Sequence, residues 1–242
     1  MIRGIRYSAD GFQVDEIRKN PSDAAKSVLF NTSNGYAYKN TDTYDLEFFT
    51  MSGLYYWYGG SSTQQIFKYG NGGYQSNLTR SGIISFDTYN VSWNGTTTVT
   101  GSMPKNKWVT LTFVCNSTEI KIFLEGILLA KATVSKATFP NTVFSPMSYV
   151  AGAFRGNITQ VRVWNRAFTN KEANDLAIYN KFSRSGLVGE WLCNEGEGTT
   201  LYDTSGSGEN LALTNGPVWS TNIPFGVRTA STGRTTAVRT AV

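Results

Sequence analysis

Along most of this chain, apolar residues alternate with polar ones instead of recurring every three or four positions. From Trp108 the apolar positions are Val109, Leu111, Phe113 and Cys115, set against Thr110 and Thr112. Ile120, Ile122 and Leu124 repeat the alternation before Glu125-Gly126 leads into Ile127-Leu128-Leu129. A period of two turns one face of a strand toward a core and the other away, so these segments predict half-buried strands, the last two joined as a hairpin. Upstream, Val28-Leu29-Phe30 and Tyr36-Ala37-Tyr38 flank Asn34-Gly35, which predicts another hairpin. A dense strand region follows over Phe48 to Met51 and Leu54 to Tyr58, closed by Gly59-Gly60, and then Ile66 to Tyr69. Further short strands are predicted over 82–86, 89–93 and 96–100. Short strands with turn residues at this spacing predict an all-β sandwich.

One segment keeps a helical period. Thr169-Asn170-Lys171-Glu172 has the form of a capping box, Ala173, Leu176, Ala177 and Asn180 share a face, and Lys171 and Asp175 stand four apart. A short amphipathic helix over about 170–181 is expected between strands at Ile158 to Trp164 and Leu187 to Cys193, with Lys181 and Arg184 suiting its negative end. Residues 1–26 are weakly patterned, with a turn signal at Asp10-Gly11 and a break at Asn20-Pro21, and read as an N-terminal arm or edge element. Residues 27–226 form one domain, because all-β sandwiches of this length remain single.

Composition agrees with that architecture: 14% of the 242 residues are aromatic and only 16% charged. The formal charge of +5 would suggest a nucleic-acid partner, but Arg228, Arg234 and Arg239 carry three of those charges on residues 227–242. The remaining +2 forms no basic stripe, so no specific nucleic-acid binding is expected. Met1 to Arg6 offers no secretory apolar stretch and no run approaches a membrane span, so a protein made in a cytosol is expected. Cys115 and Cys193 lie in apolar strand-like stretches and read as small buried hydrophobes, with a disulfide between them left open. The Asn-x-Ser/Thr triplets occur at the frequency an Asn- and Thr-rich chain produces by chance, and carry no glycosylation argument.

The ordered motifs resemble the laminin-G-like, concanavalin A-type lectin/glucanase family. The resemblance runs through Val28-Leu29-Phe30 to Gly35-Tyr36, Trp57, Lys107 to Leu111 and Ile122 to Gly126. It is densest at Phe154 to Glu172, where an alternating strand ends in Trp164 and Asn165-Arg166-Ala167 precede the capped helix. It implies a two-sheet antiparallel jelly roll with one short helix. A second block, Gly186 to Gly198 with Asp203 to Gly206, resembles the segment that usually opens such a domain. Its place after the helix implies that edge strands are supplied from the C-terminal side, and that deleting 187–220 would destabilise the core. Trp57, Trp108, Trp164 and Trp191 read as core packing.

The chemistry is narrow. There is no histidine, which removes histidine-dependent triads, histidine bases and histidine-ligated zinc. Glycosidases of this architecture align two or three carboxylates along one strand. Asp45 and Glu47 alternate without a third, and of Glu190, Glu195 and Glu197 the last two sit in a Glu-Gly-Glu-Gly segment that the resemblance makes a solvated turn, so no enzymatic activity is expected. No cofactor is implied, but relatives that bind Ca2+ at the rim make Asp42, Asp45 and Asp87 candidate ligands. Tyr69, Tyr74, Asn77, Asp87, Tyr89 and Trp93, among small polar residues, form a candidate carbohydrate-binding set, because planar rings stack on sugars while amides and carboxylates bond their hydroxyls. The low-complexity tail has too little apolar surface to fold alone. Its Thr and Val suit strand addition and its Arg228, Arg234 and Arg239 suit acidic grooves, so it reads as an arm docking on other subunits. Two functions follow. One is a structural or decorating subunit of a large assembly, homo-oligomeric or with capsid or tail proteins. The resemblance places it in a bacteriophage virion, made in the host cytoplasm. The alternative is a soluble lectin-like module binding cell-surface glycans, outside the cell or at its surface.

Overall fold

The computed structural model describes residues 3–8, 11–16, 26–39, 48–69, 74–90, 92–98, 103–133, 144–148 and 153–224. Two eight-stranded antiparallel sheets form the sandwich. The first runs β12 (Ile127–Thr133), β11 (Glu119–Leu124), β10 (Trp108–Cys115), β5 (Phe49–Trp57), β14 (Gly156–Trp164), β3 (Ser27–Phe30) and β18 (Val218–Ser220), with β15 (Leu187–Trp191) also on β14. The second runs β16 (Thr200–Leu201), β17 (Leu211–Thr214), β4 (Tyr36–Lys39), β13 (Phe144–Met147), β6 (Gln64–Tyr69), β7 (Tyr74–Leu78), β8 (Ile84–Asn90) and β9 (Ser92–Thr98). β1 (Arg3–Ser8) and β2 (Gly11–Glu16) pair with each other around the Asp10-Gly11 signal.

Period-two alternation builds the core between the sheets. Val109, Leu111, Phe113 and Cys115 of β10 are buried, and Phe113 meets Phe67 and Phe86 of the opposite sheet at ring-centroid distances of 5.0 and 5.6 Å. Trp57, Trp164 and Trp191 are fully buried, as packing predicts, whereas Trp108 is half-buried on the outer face of the first sheet. Cys115 and Cys193 are both buried free thiols, and burial pushes the Cys193 thiol well up.

Two strand expectations are corrected. The segments around Asn34-Gly35 make no hairpin: β3 lies in the first sheet and β4 in the second, so residues 31–35 cross the sandwich. Crossing lets Phe30 and Ala37 enter one core from opposite sheets, and the crossing is tied to a distant turn by bonds from Thr32 Oγ1 to the Asn215 carbonyl and from Asn215 Nδ2 to that of Asn34. Residues 82–100 hold two strands, not three, and β7 was not anticipated at all. Tyr-Gln-Ser-Asn-Leu contains one aliphatic residue, so its alternation is hidden in polar side chains.

The helix α1 (Asn170–Tyr179) forms as expected. The Glu172 amide donates to Thr169 Oγ1 at 3.2 Å, the Thr169 amide donates to Glu172 Oε2 at 2.9 Å, and Lys171 pairs with Asp175 at 2.6 Å. The helix stops at Asn180 in the left-handed conformation, with no basic residue in its last turn; Arg184 binds Glu190 instead. Ala173 and Leu176 pack with Val114, Phe123, Trp164, Phe168 and Leu187 in a second small core, so the helix covers part of the outer face of the first sheet. Gly126 seats it, because a Cβ there would stand 2.7 Å from the Asn174 Cα and the residue's φ of +75° favours glycine in any case.

The block after the helix supplies strands to both sheets: β15 joins β14, β18 joins β3, and β16 with β17 extends β4. Trp191, Cys193, Leu201, Leu211 and Leu213 belong to the main core. At its centre the Tyr55 hydroxyl is buried without a partner among the described residues, and burial pushes its phenol well up. An unpaired buried hydroxyl costs about 1–3 kcal/mol. Tyr55→Phe is therefore expected to raise stability by about 1 kcal/mol, read as a melting-temperature rise of roughly 2–4 °C; a fall would show that the hydroxyl is bonded.

Candidate functional site

The candidate site is built on β6, β7 and β8, which lie side by side. Ile66, Phe67 and Tyr69 of β6, Ser76 and Leu78 of β7, and Ile84 and Phe86 of β8 are buried. Alternation turns Gln65, Lys68, Gln75, Asn77, Ser85 and Asp87 to the outer face. Register aligns them in two rows: Gln65 opposite Asn77 opposite Ser85, and Lys68 opposite Gln75 opposite Asp87. A bulge between Gln65 and Phe67 admits Ile66 to the core while keeping Gln65 and Lys68 on the same face.

The six side chains line the same outer face, and five of them are bonded in two groups. Gln65 Nε2 donates to Gln75 Oε1 at 3.0 Å, and Asp87 Oδ2 accepts from Asn77 Nδ2 at 2.7 Å and Ser85 Oγ at 3.1 Å. Gln65 Oε1 is a buried acceptor with no partner among the described residues. Burial lowers the Lys68 ammonium below its usual range. Two strands away, on β4, Ala37 enters the core and leaves half-buried Tyr36 and Tyr38 on the outer face, their rings 4.9 Å apart. At about 4.8 Å per strand, the tyrosine pair stands about 10 Å from the array, a span of about two sugar rings.

Of the residues singled out in the sequence, Asn77 and Asp87 are brought into direct contact. Tyr69 is corrected: it is 4% exposed in the core, so its ring packs the sandwich and cannot stack on a ligand. The backbones of Tyr74, Tyr89 and Trp93 lie in the same half-sheet, with Tyr74 opposite Tyr69 and Tyr89 opposite Trp93. Asp42 and Asp45 fall outside the described residues, as do Arg228, Arg234 and Arg239. Among the described residues no three metal-binding side chains cluster. Gln65, Lys68, Gln75, Ser85, Tyr36 and Tyr38 were missed. Their signal was the Gln-Ser-Asn alternation of β7, which becomes legible once its neighbours are known.

Among the described residues, Asp87 is the only carboxylate on the strands of the second sheet. Of the turn acids considered for catalysis, Glu190 lies buried in an ion pair with Arg162 at 2.8 Å, and Glu195 Oε1 accepts from the Tyr202 amide.

Two antiparallel sheets, one carrying a polar and aromatic outer face, define a lectin-like β-sandwich. The chain belongs to the concanavalin A-like lectin/glucanase superfamily, whose laminin-G-type profile matches residues 31–174. No curated protein matches the sequence. Among solved structures it is similar to a protein from Bacteroides ovatus described as carbohydrate-binding, at 14% identity and a TM-score of 0.64. The match covers 85% of this chain and 62% of that one. It is also similar to the CBM40 of Ruminococcus gnavus IT-sialidase bound to α2,3-sialyllactose (16% identity, TM-score 0.52, 63% of this chain and 96% of that one). Domain 4 of the GH43 arabinanase AbnA from Geobacillus stearothermophilus, in complex with arabinotriose, matches at 14% identity and a TM-score of 0.52, over 73% of this chain and 82% of that one. These likenesses establish the fold. The neighbours are carbohydrate-binding proteins and modules, and none supports a virion origin.

Proposed function

We propose that this chain is a non-catalytic glycan-binding module whose sugar lies on the outer face of the second sheet, between Tyr36 with Tyr38 and the Gln65 to Asp87 array. The carrying observation is the array itself: two rows of polar side chains on adjacent strands, in which the amides, the Ser85 hydroxyl and the Asp87 carboxylate are held by hydrogen bonds and Lys68 stands in line with Gln75. Vicinal sugar hydroxyls need a donor and an acceptor side by side, and the half-buried Asn77 amide, oriented by the buried Asp87 carboxylate, carries both. A tyrosine ring pair suits the C–H face of a pyranose. The sugar-binding titles of the structural neighbours support the same reading.

A glycan array followed by calorimetry on the best neutral oligosaccharide tests it. Gln75→Ala and Asp87→Asn are each expected to weaken binding about tenfold, the worth of one or two hydrogen bonds, while exposed Lys171→Ala binds like the parent. Absence of binding by the folded protein, or unchanged affinity in both variants, would overturn the proposal.

A further inference from the structure

The opposite sheet carries a second feature that the polar array does not explain. Beyond the part covered by α1, the outer face of the first sheet holds Trp108 opposite Tyr56 and Tyr56 opposite Asn157, on three adjacent strands. Tyr58 continues this surface past the end of β5 and is 46% exposed. The Tyr56 ring lies 5.2 Å from that of Tyr58 and 5.5 Å from that of Trp108. Asn222, just after β18, locks the group: Trp108 Nε1 donates to Asn222 Oδ1 at 3.1 Å, and Asn222 Nδ2 donates to Asn157 Oδ1 at 3.2 Å and to Tyr58 Oη at 3.3 Å. Tyr58 Oη in turn donates to Asn157 Oδ1 at 2.8 Å. The rings are therefore held in place, while their polar edges are largely used up.

What remains to meet a ligand is charge. The Tyr58 amide donates to the Arg155 carbonyl at 3.0 Å and the Asn106 amide to the Trp57 carbonyl at 2.8 Å, so Arg155 and Lys107 stand on the strand ends either side of β5. Their backbones are about 10 Å apart, two strand spacings. Lys105 lies 5.3 Å over the Trp57 ring at the same end. None of these three exposed cations has a carboxylate partner among the described residues. The nearby acid, Glu125, accepts a bond from the Thr110 amide. Arg155, exposed and aligned with Tyr58 on the face of the fixed aromatic platform, complements a ligand that is planar-faced and anionic.

We propose that Trp108, Tyr56 and Tyr58 with Arg155 form a second saccharide site, selective for sugars bearing a carboxylate. The rings stack on the sugar's apolar face, and Arg155 receives the carboxylate. This inference shares the glycan-binding reading of the protein but none of the residues of the polar array, so the two sites fail separately.

Calorimetry of the full chain with trigalacturonate, sialyllactose and lactose, at 50 and 300 mM NaCl, tests it. At least one acidic probe is expected to bind at least tenfold more tightly than lactose at low salt and to weaken at high salt. Arg155→Gln should abolish that preference, and Trp108→Ala should remove acidic-probe binding altogether. Trp108→Phe, which keeps a ring and guards against misfolding, should retain part of it. Gln75→Ala should leave acidic-probe binding unchanged. Failure of both acidic probes to bind, equal affinity for lactose, or an Arg155→Gln variant that keeps the preference would overturn the proposal. Loss of acidic binding in Gln75→Ala would place the ligand on the polar array instead.

Discussion

Glu190→Ala is expected to lower stability by about 3–5 kcal/mol, because it leaves a buried guanidinium without its counter-charge. Arg162 and Glu190 have side chains only 8% and 7% exposed and meet at 2.8 Å on the neighbouring strands β14 and β15. Glu190 also accepts from Arg184 at 3.0 Å and from Thr204 Oγ1 at 3.0 Å, while Arg162 lies over the Phe182 ring at 4.5 Å. Removing the carboxylate strands Arg162 with only the 3.3 Å bond to Asn180 Oδ1. In a chain of this size the loss reads as a melting temperature lower by roughly 6–20 °C. Replacing both partners, Arg162→Met with Glu190→Leu, should recover most of it, since an apolar pair carries no stranded charge. A double variant as unstable as the single one would show that the pair matters for another reason. The same group sets an acid limit. Burial pushes Glu190 up, but its bonds from Arg162, Arg184 and Thr204 prevail and hold it below the usual carboxylate range. Asp203, bonded by the amides of Glu209, Ser205 and Glu190, is held low despite its own burial. A depressed carboxyl contributes fully above its unfolded value and loses that contribution as the pH falls through its folded one. Stability should therefore drop steeply below the ordinary carboxylate range, and less steeply in the double variant.

Trp164→Ala is expected to cost about 3–5 kcal/mol, the range for deleting a large buried aromatic. Trp164 is fully buried, with ring centroids 4.6 Å from Phe168 and 5.7 Å from Phe182, and its Nε1 donates to the Ser183 carbonyl at 2.9 Å. It belongs to the small core under α1, separate from the main core between the sheets. Its loss should act locally: amide exchange over Asn170–Tyr179 should accelerate well before that of β10 and β5. Trp164→Phe should keep about half the stability, losing the indole bond but not the ring. A cost below about 1 kcal/mol, or uniform acceleration across both cores, would contradict this division.

The two cores were unequally legible in the sequence. β10, the β11–β12 hairpin and the capped helix follow from local period and local capping chemistry, which the sequence displays directly. Which sheet a strand joins is a long-range matter, and Asn34-Gly35 shows it: the turn signal was real, yet it joins β3 and β4 across the sandwich. At the candidate site Asn77 and Asp87 were found because their side chains have evident sugar-binding chemistry. Tyr69 was misassigned because the bulge at Gln65 and Phe67 resets which residues of β6 face inward. Gln65, Gln75 and Lys68 were invisible singly, since each looks like an ordinary surface residue until register aligns them. Trp108 was read with the other tryptophans as core, because alternation shows that a strand has two faces but not which one is covered.

The most direct measurement is a crystal structure of the chain soaked with the neutral oligosaccharide that binds most tightly. A sugar on the outer face of the second sheet, with hydroxyls on Gln75, Asn77 and Ser85 and a ring against Tyr36 or Tyr38, is the predicted result. A neutral sugar bound only elsewhere, with that face empty, would contradict it.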